Sequence, residues 1–77
     1  MPTILREAGF RLFFYSNEGN EPPHIHVEKA DASAKIWLQP IELENNYGFT
    51  SREMNQILRI VANNQNVLIQ SWYDYFG

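Results

Sequence analysis

From Phe49 to Phe76 the chain contains neither glycine nor proline, whereas residues 1–48 hold all four prolines and three of the four glycines. Glycine and proline punctuate turns and end regular elements. The boundary near Gly48 therefore separates a half that must turn often from a half that can run as helix. A chain of 77 residues allows one domain, 1–77. Only about 60–65% of the unfolded surface of so short a chain can be buried. The expected architecture is α+β: an antiparallel meander of four or five strands, followed by one or two C-terminal helices packed on one face.

In the first half, short apolar runs alternate with turn signals, as strands do. The expected strands are Thr3–Glu7, Phe10–Ser16, His24–Lys29, Ser33–Gln39 and a short edge strand Ile41–Glu44, with Asn45–Gly48 ending the sheet. Ala8-Gly9 suits a tight turn, and Asn17–Pro23 is a loop closed by two prolines. Successive strand residues point to opposite faces. One face then collects Phe10, Leu12, Phe14, Ile25, Val27, Ala34, Ile36 and Leu38, a core face. The other collects Arg11, Phe13, Tyr15, His24, His26, Glu28, Lys35, Trp37 and Gln39, aromatic bodies mixed with charged and imidazole tips.

In the second half, Thr50-Ser51-Arg52-Glu53 spells a capping box with Thr50 as N-cap, and Phe49 with Met54 spells a hydrophobic staple. Met54, Ile57, Leu58 and Val61 follow the spacing of one apolar helix face. Asn63-Asn64 is a break at which either asparagine can cap a second helix; one bent helix is the other possibility. Val67, Leu68, Trp72 and Phe76 continue helical spacing, with Ile69 and Tyr73 widening the stripe.

Composition removes whole classes of function. There is no cysteine, so disulfides, thiolate nucleophiles and thiolate metal sites are excluded. The net charge of −3 does not favour nucleic-acid binding, which calls for a basic surface. No apolar run is long enough to cross a membrane, and MPTILREAGF has no signal-peptide pattern. A cytoplasmic location is expected. There is no P-loop, dinucleotide fingerprint or nucleophile elbow. Pro2 would offer a terminal amine base of the small-tautomerase kind only if Met1 were removed.

Pro22-Pro23-His24-Ile25-His26-Val27 is the stretch with most chemistry in it. His-x-His on a strand sets two imidazoles on one face about 7 Å apart. His24 and His26 are thus the candidate catalytic pair, as general acid and base, or two ligands of one metal. The plainer reading is that they hydrogen-bond their neighbours. Glu18, Glu21 and Glu28 are the nearby carboxylates, but spacing fixes no third ligand, so neither a metal set nor a cofactor is assigned. Arg11, Tyr15, Lys35 and Trp37 share the face as candidate binding residues. Aromatics beside one arginine suit a protein interface better than a phosphate or nucleotide here, because the chain is acidic.

The run Gly9-Phe10-Arg11-Leu12-Phe13-Phe14-Tyr15-Ser16-Asn17-Glu18-Gly19-Asn20-Glu21-Pro22-Pro23-His24-Ile25-His26-Val27 resembles the hallmark stretch of an uncharacterised prokaryotic family, domain of unknown function 4160. Ala34–Pro40, Gly48-Phe49 and Ser71–Phe76 are similar to its later blocks, so the resemblance covers essentially the whole chain. Leu12 stands where an aromatic is usual and Gln39 where an acid is common. The resemblance implies a small bacterial protein, often encoded beside a second small domain, in an arrangement like a type II toxin–antitoxin pair. It carries no established catalytic residues. Its signature falls on Arg11, Pro22, Pro23, His24 and His26 without assigned chemistry. The leading expectation is a protein that works in a protein–protein pair, with a small partner encoded nearby, self-association, or both. The alternatives are a small nuclease or phosphoesterase using His24 and His26, with Arg11 and Lys35 stabilising developing negative charge, and a metal-binding module. Whether the chain is an enzyme stays open at this level.

Overall fold

The computed structural model describes residues 3–77. Pro2, and with it the terminal-amine idea, lies outside the described residues. Five strands, β1 (Thr3–Glu7), β2 (Phe10–Phe13), β3 (His24–Lys29), β4 (Ala32–Leu38) and β5 (Ile41–Tyr47), form one sheet in the order β1-β2-β3-β4-β5. Every neighbouring pair is antiparallel. The helices α1 (Ser51–Asn63) and α2 (Gln65–Phe76) follow. The expected α+β meander with two C-terminal helices is the observed fold.

The turns explain the short connections. Ala8 and Gly9 both take positive φ, 53° and 85°, the backbone twist that a two-residue hairpin turn requires. Ala30 takes the same left-handed conformation between β3 and β4. Strand β2 stops at Phe13, before the expected Ser16, because the chain leaves the sheet to enter the loop to Pro23.

Strand β5 differs most from expectation, since it runs on to Tyr47. Its register against β4 shifts between Ile36↔Leu43 and Lys35↔Asn45, which leaves Glu44 as an extra residue. A bulge of this kind inverts facing beyond it. Ile41 and Leu43 pair with core-face residues, whereas Tyr47 pairs with Ser33 and falls on the outer face. Asn46, now on the core side, bridges to the helical half: its Nδ2 donates to the Phe49 carbonyl and its Oδ1 accepts from the Phe49 amide.

The core lies between the sheet and the helices. Phe10, Leu12, Phe14, Ile25, Val27, Ala34, Ile36 and Leu38 are all buried there, with Phe49, Met54, Ile57, Val61, Leu68 and Trp72. The strand parity holds at each of these positions. Thr50 caps α1 through a complete capping box, its hydroxyl accepting from the Glu53 amide and the Glu53 carboxylate accepting from the Thr50 amide. Leu58 is only half-buried and Ile60 takes the inner place. Asn64 does not cap α2 with its side chain. Its backbone has ψ near 15° rather than the extended value of an N-cap, and its Nδ2 instead donates to the Ile60 carbonyl, closing α1. Val67 and Tyr73 are exposed, so the stripe of α2 is narrower than expected. At about 100° per residue Val67 points away from the stripe of Leu68, Ile69, Trp72 and Phe76.

Candidate functional site

The outer face of the sheet is where the chemistry-bearing residues stand, and its register assembles them. His24 pairs with Trp37 and His26 with Lys35 across β3 and β4, while Phe13 of β2 lies opposite His26. Phe13 stacks on the His26 ring at 5.6 Å and lies under the Arg11 guanidinium at 4.3 Å. Tyr15 meets His26 edge-on at 4.7 Å. Thus Phe13, on the solvent side by strand parity, is only 3% exposed. Neighbouring side chains bury it without a covering layer.

His24 is buried completely, at 0% exposure. Its ring sits among Trp37, His26 and Trp72 of α2, with centroids at 5.4, 5.1 and 4.7 Å. Nδ1 lies 3.0 Å from the Pro22 carbonyl. A carbonyl only accepts, so Nδ1 carries the proton and donates. The diprolyl segment therefore does more than stiffen the loop: it orients the ring.

The loop between β2 and β3 brings Glu18 to both imidazoles. Oε1 of Glu18 lies 3.0 Å from His24 Nε2 and 2.9 Å from His26 Nε2, and Oε2 lies 3.1 Å from the latter. The carboxylate also accepts from the Tyr15 amide at 3.2 Å. The loop's own turn is held by Glu21 N–H donating to the Glu18 carbonyl at 3.1 Å. Gly19 passes so close to α2 that a Cβ there would stand 2.6 Å from the Phe76 ring, which leaves room only for glycine. Glu18, His24 and His26 offer one donor atom each, all within 4.8 Å of one another.

Electrostatics follow from that enclosure. Burial pushes the His26 ring below its ordinary value, overcoming the attraction of Glu18, so the neutral imidazole is favoured. Burial alone would raise Glu18. The two imidazoles beside it and the Tyr15 amide outweigh that and hold the carboxyl below its ordinary value.

Of the residues singled out from sequence, His24, His26, Tyr15, Trp37 and Lys35 are brought together, while Arg11 stands on the far side of Phe13. Arg11 is held by Glu28 at 2.7 Å and by Thr3 at 2.8 Å. Lys35 is held by Glu21 at 2.8 Å and lies over the Trp37 ring. The Trp37 indole N–H donates to Glu44, the bulge residue. Sequence reasoning named Glu18 only as one of several nearby carboxylates. Nothing in its spacing separated it from Glu21 or Glu28, because loop closure in space decides which carboxylate reaches the histidines.

A family model described as a domain of unknown function, DUF4160, matches residues 9–73. The chain belongs to the DUF4160 family. The match takes in β2 to most of α2, and so the whole Glu18–His24–His26 cluster. No curated protein and no solved structure matches the chain. Among the described residues of this DUF4160 protein, no helix is long and apolar enough to cross a membrane.

Proposed function

We propose that this DUF4160 protein is a cytoplasmic bacterial protein that works by binding a second, different protein, as one half of a module of the toxin–antitoxin type, and that the outer sheet face is its docking surface. The observation that carries this reading is a shallow groove of about 210 Å³ on that face, lined by Phe13, Tyr15, His26, Lys35 and Tyr47. Tyr15 and Tyr47 flank it at 40% and 66% exposure. Large rings gain from being covered, and both helices are already committed to the opposite face. Rings of this kind, set among fixed polar groups, are what interface hot spots are made of.

Charge selects the partner. Arg11 and Lys35 are neutralised by Glu28 and Glu21. Among the described residues neither Glu42 nor Glu44, opposite Trp37 or beside it on β5, belongs to an ion pair. The β5 end of the face, with Glu42 and Glu44, is left acidic and suits a partner that presents cations. The hydrolytic alternative gains less support. Its proposed acid or base, His24, has no exposed atom, and its proposed charge stabilisers are tied to carboxylates.

The test is reconstitution with the product of a small gene encoded beside this one, the arrangement that the family resemblance implies. The two purified proteins are expected to form a stoichiometric complex that Tyr47→Ala or Glu42→Lys weakens at least tenfold with the fold intact. Association of the chain only with itself overturns the two-protein reading. A hydrolytic activity abolished by His26→Ala, with association unchanged, replaces it with the enzymatic one.

A further inference from the structure

We infer that Glu18, His24 and His26 form a three-ligand site for a divalent transition metal of the zinc class, bound through the Glu18 carboxylate and Nε2 of each imidazole. The first observation is the donor set. All three donors lie within 4.8 Å of one another, and two edges of the triangle, 3.0 and 2.9 Å, are already near the separation of about 3.3–3.4 Å between ligands of a tetrahedral zinc ion. Imidazole and carboxylate, without thiolate, suit zinc and its first-row neighbours.

The second observation is independent of the first. His24 Nε2 is buried and makes no hydrogen bond, although Glu18 Oε1 is 3.0 Å away. The proton on Nδ1 is spent on the Pro22 carbonyl. With Nδ1 so engaged, Nε2 is the ring nitrogen turned toward the Glu18 carboxylate. A buried nitrogen without a hydrogen-bond partner is costly. A cation on the Nε2 lone-pair axis removes that cost. It also accounts for an oxygen set off that axis, because a second ligand of a tetrahedral ion lies about 35° to one side of the first nitrogen–metal line.

The third observation is the surrounding shell. A metal-ligating histidine characteristically donates its other N–H to a carbonyl or carboxylate, and His24 does so to Pro22. The Tyr15 amide donates to the Glu18 carboxylate and fixes its position. His26 and Glu18 retain 17% and 15% side-chain exposure, so an ion has a way in and a coordination position remains for water or a further ligand. Bound there, the ion would tie the loop between β2 and β3 to the strand beneath it, beside the proposed docking face. The inference does not depend on that docking reading.

The experiment uses the full chain, free of any affinity tag and stripped of metal, titrated with zinc and with cobalt by calorimetry and absorption. One ion per chain is expected, with the cobalt spectrum of a four-coordinate nitrogen–oxygen site. Glu18→Gln and His26→Gln are each expected to weaken binding by about 100-fold or more while circular dichroism shows the fold retained. Ring ¹⁵N spectra are expected to move at Nε2 of His24 and His26 on zinc addition, with His24 Nδ1 still protonated. No stoichiometric binding, or equal binding by the double variant Glu18→Gln, His26→Gln, overturns the site. So does zinc binding that leaves both Nε2 resonances in place.

Discussion

The two faces of the sheet bury side chains by opposite means. On the inner face Ile25, Val27, Ile36 and Leu38 are sealed under α1 and α2, apolar against apolar. On the outer face no helix lies across the strands, though Trp72 of α2 reaches His24. There Phe13 and His24 are sealed by their own neighbours: Arg11 over one ring, Lys35 over Trp37, Tyr15 and Trp72 against the imidazoles, and a loop whose Glu18 closes the gap. The inner face is insensitive to which hydrophobe touches which, provided volume is kept. The outer face depends on named partners, since each buried polar atom needs a specific one. That dependence is what makes the outer face a place for chemistry and recognition.

The largest effects should come from buried rings and branched chains, and they test whether the outer face is truly a second core. Ile36→Ala is expected to cost about 2–5 kcal/mol, and Phe13→Ala about 3 kcal/mol. Urea unfolding of both variants measures this. A Phe13→Ala cost below about 1 kcal/mol would mean that the outer cluster seals nothing.

Gly19→Ala should cost about 1–3 kcal/mol, because the added methyl group meets the Phe76 ring at 2.6 Å. The variant should also shift the NMR signals of His24 and His26, since the loop that carries Glu18 must move. Stability lost with the histidine signals unmoved would show that the loop and the site are separate.

Thr50→Ala touches only the inner, helical layer. Loss of the cap bond to the Glu53 amide should cost about 0.5–2 kcal/mol. The signals of the outer face should stay where they are. A shift there would show that the two faces are coupled through α1.

The smallest effect is the pH response of the metal-free protein. The folded state holds the His26 ring below its ordinary value, so the unfolded chain takes up that proton first, and stability falls as pH drops below about 6.5. Glu18 is also held low. Its contribution is present above the unfolded carboxyl value and is lost as pH falls through the lower folded one. Both slopes have the same sign. Urea midpoints between pH 7 and 4 should fall steadily in the native chain, and His26→Gln should flatten the upper part of that range. An unchanged slope in the variant would place the acid sensitivity elsewhere.

Much of this was legible in the residues themselves. Alternation along three strands assigned Phe10, Leu12, Phe14, Ile25, Val27, Ile36 and Leu38 to the core, because the pleat has a fixed period of two. Thr50 and Glu53 announced the start of α1, because a capping box is a local reciprocal bond that needs nothing beyond four residues. Only the tertiary structure could settle what depends on contacts across the chain. The bulge at Glu44 carried Tyr47 to the outer face, which no count of residues along β5 reveals. The folding of the β2–β3 loop chose Glu18 over Glu21 and Glu28 as the partner of both histidines. Trp72, spaced as an ordinary core residue of α2, also packs on His24 and leaves that ring no exposed surface. Periodicity reports which way a side chain points. Which distant group waits there is set by loop closure and by the packing of one layer on another.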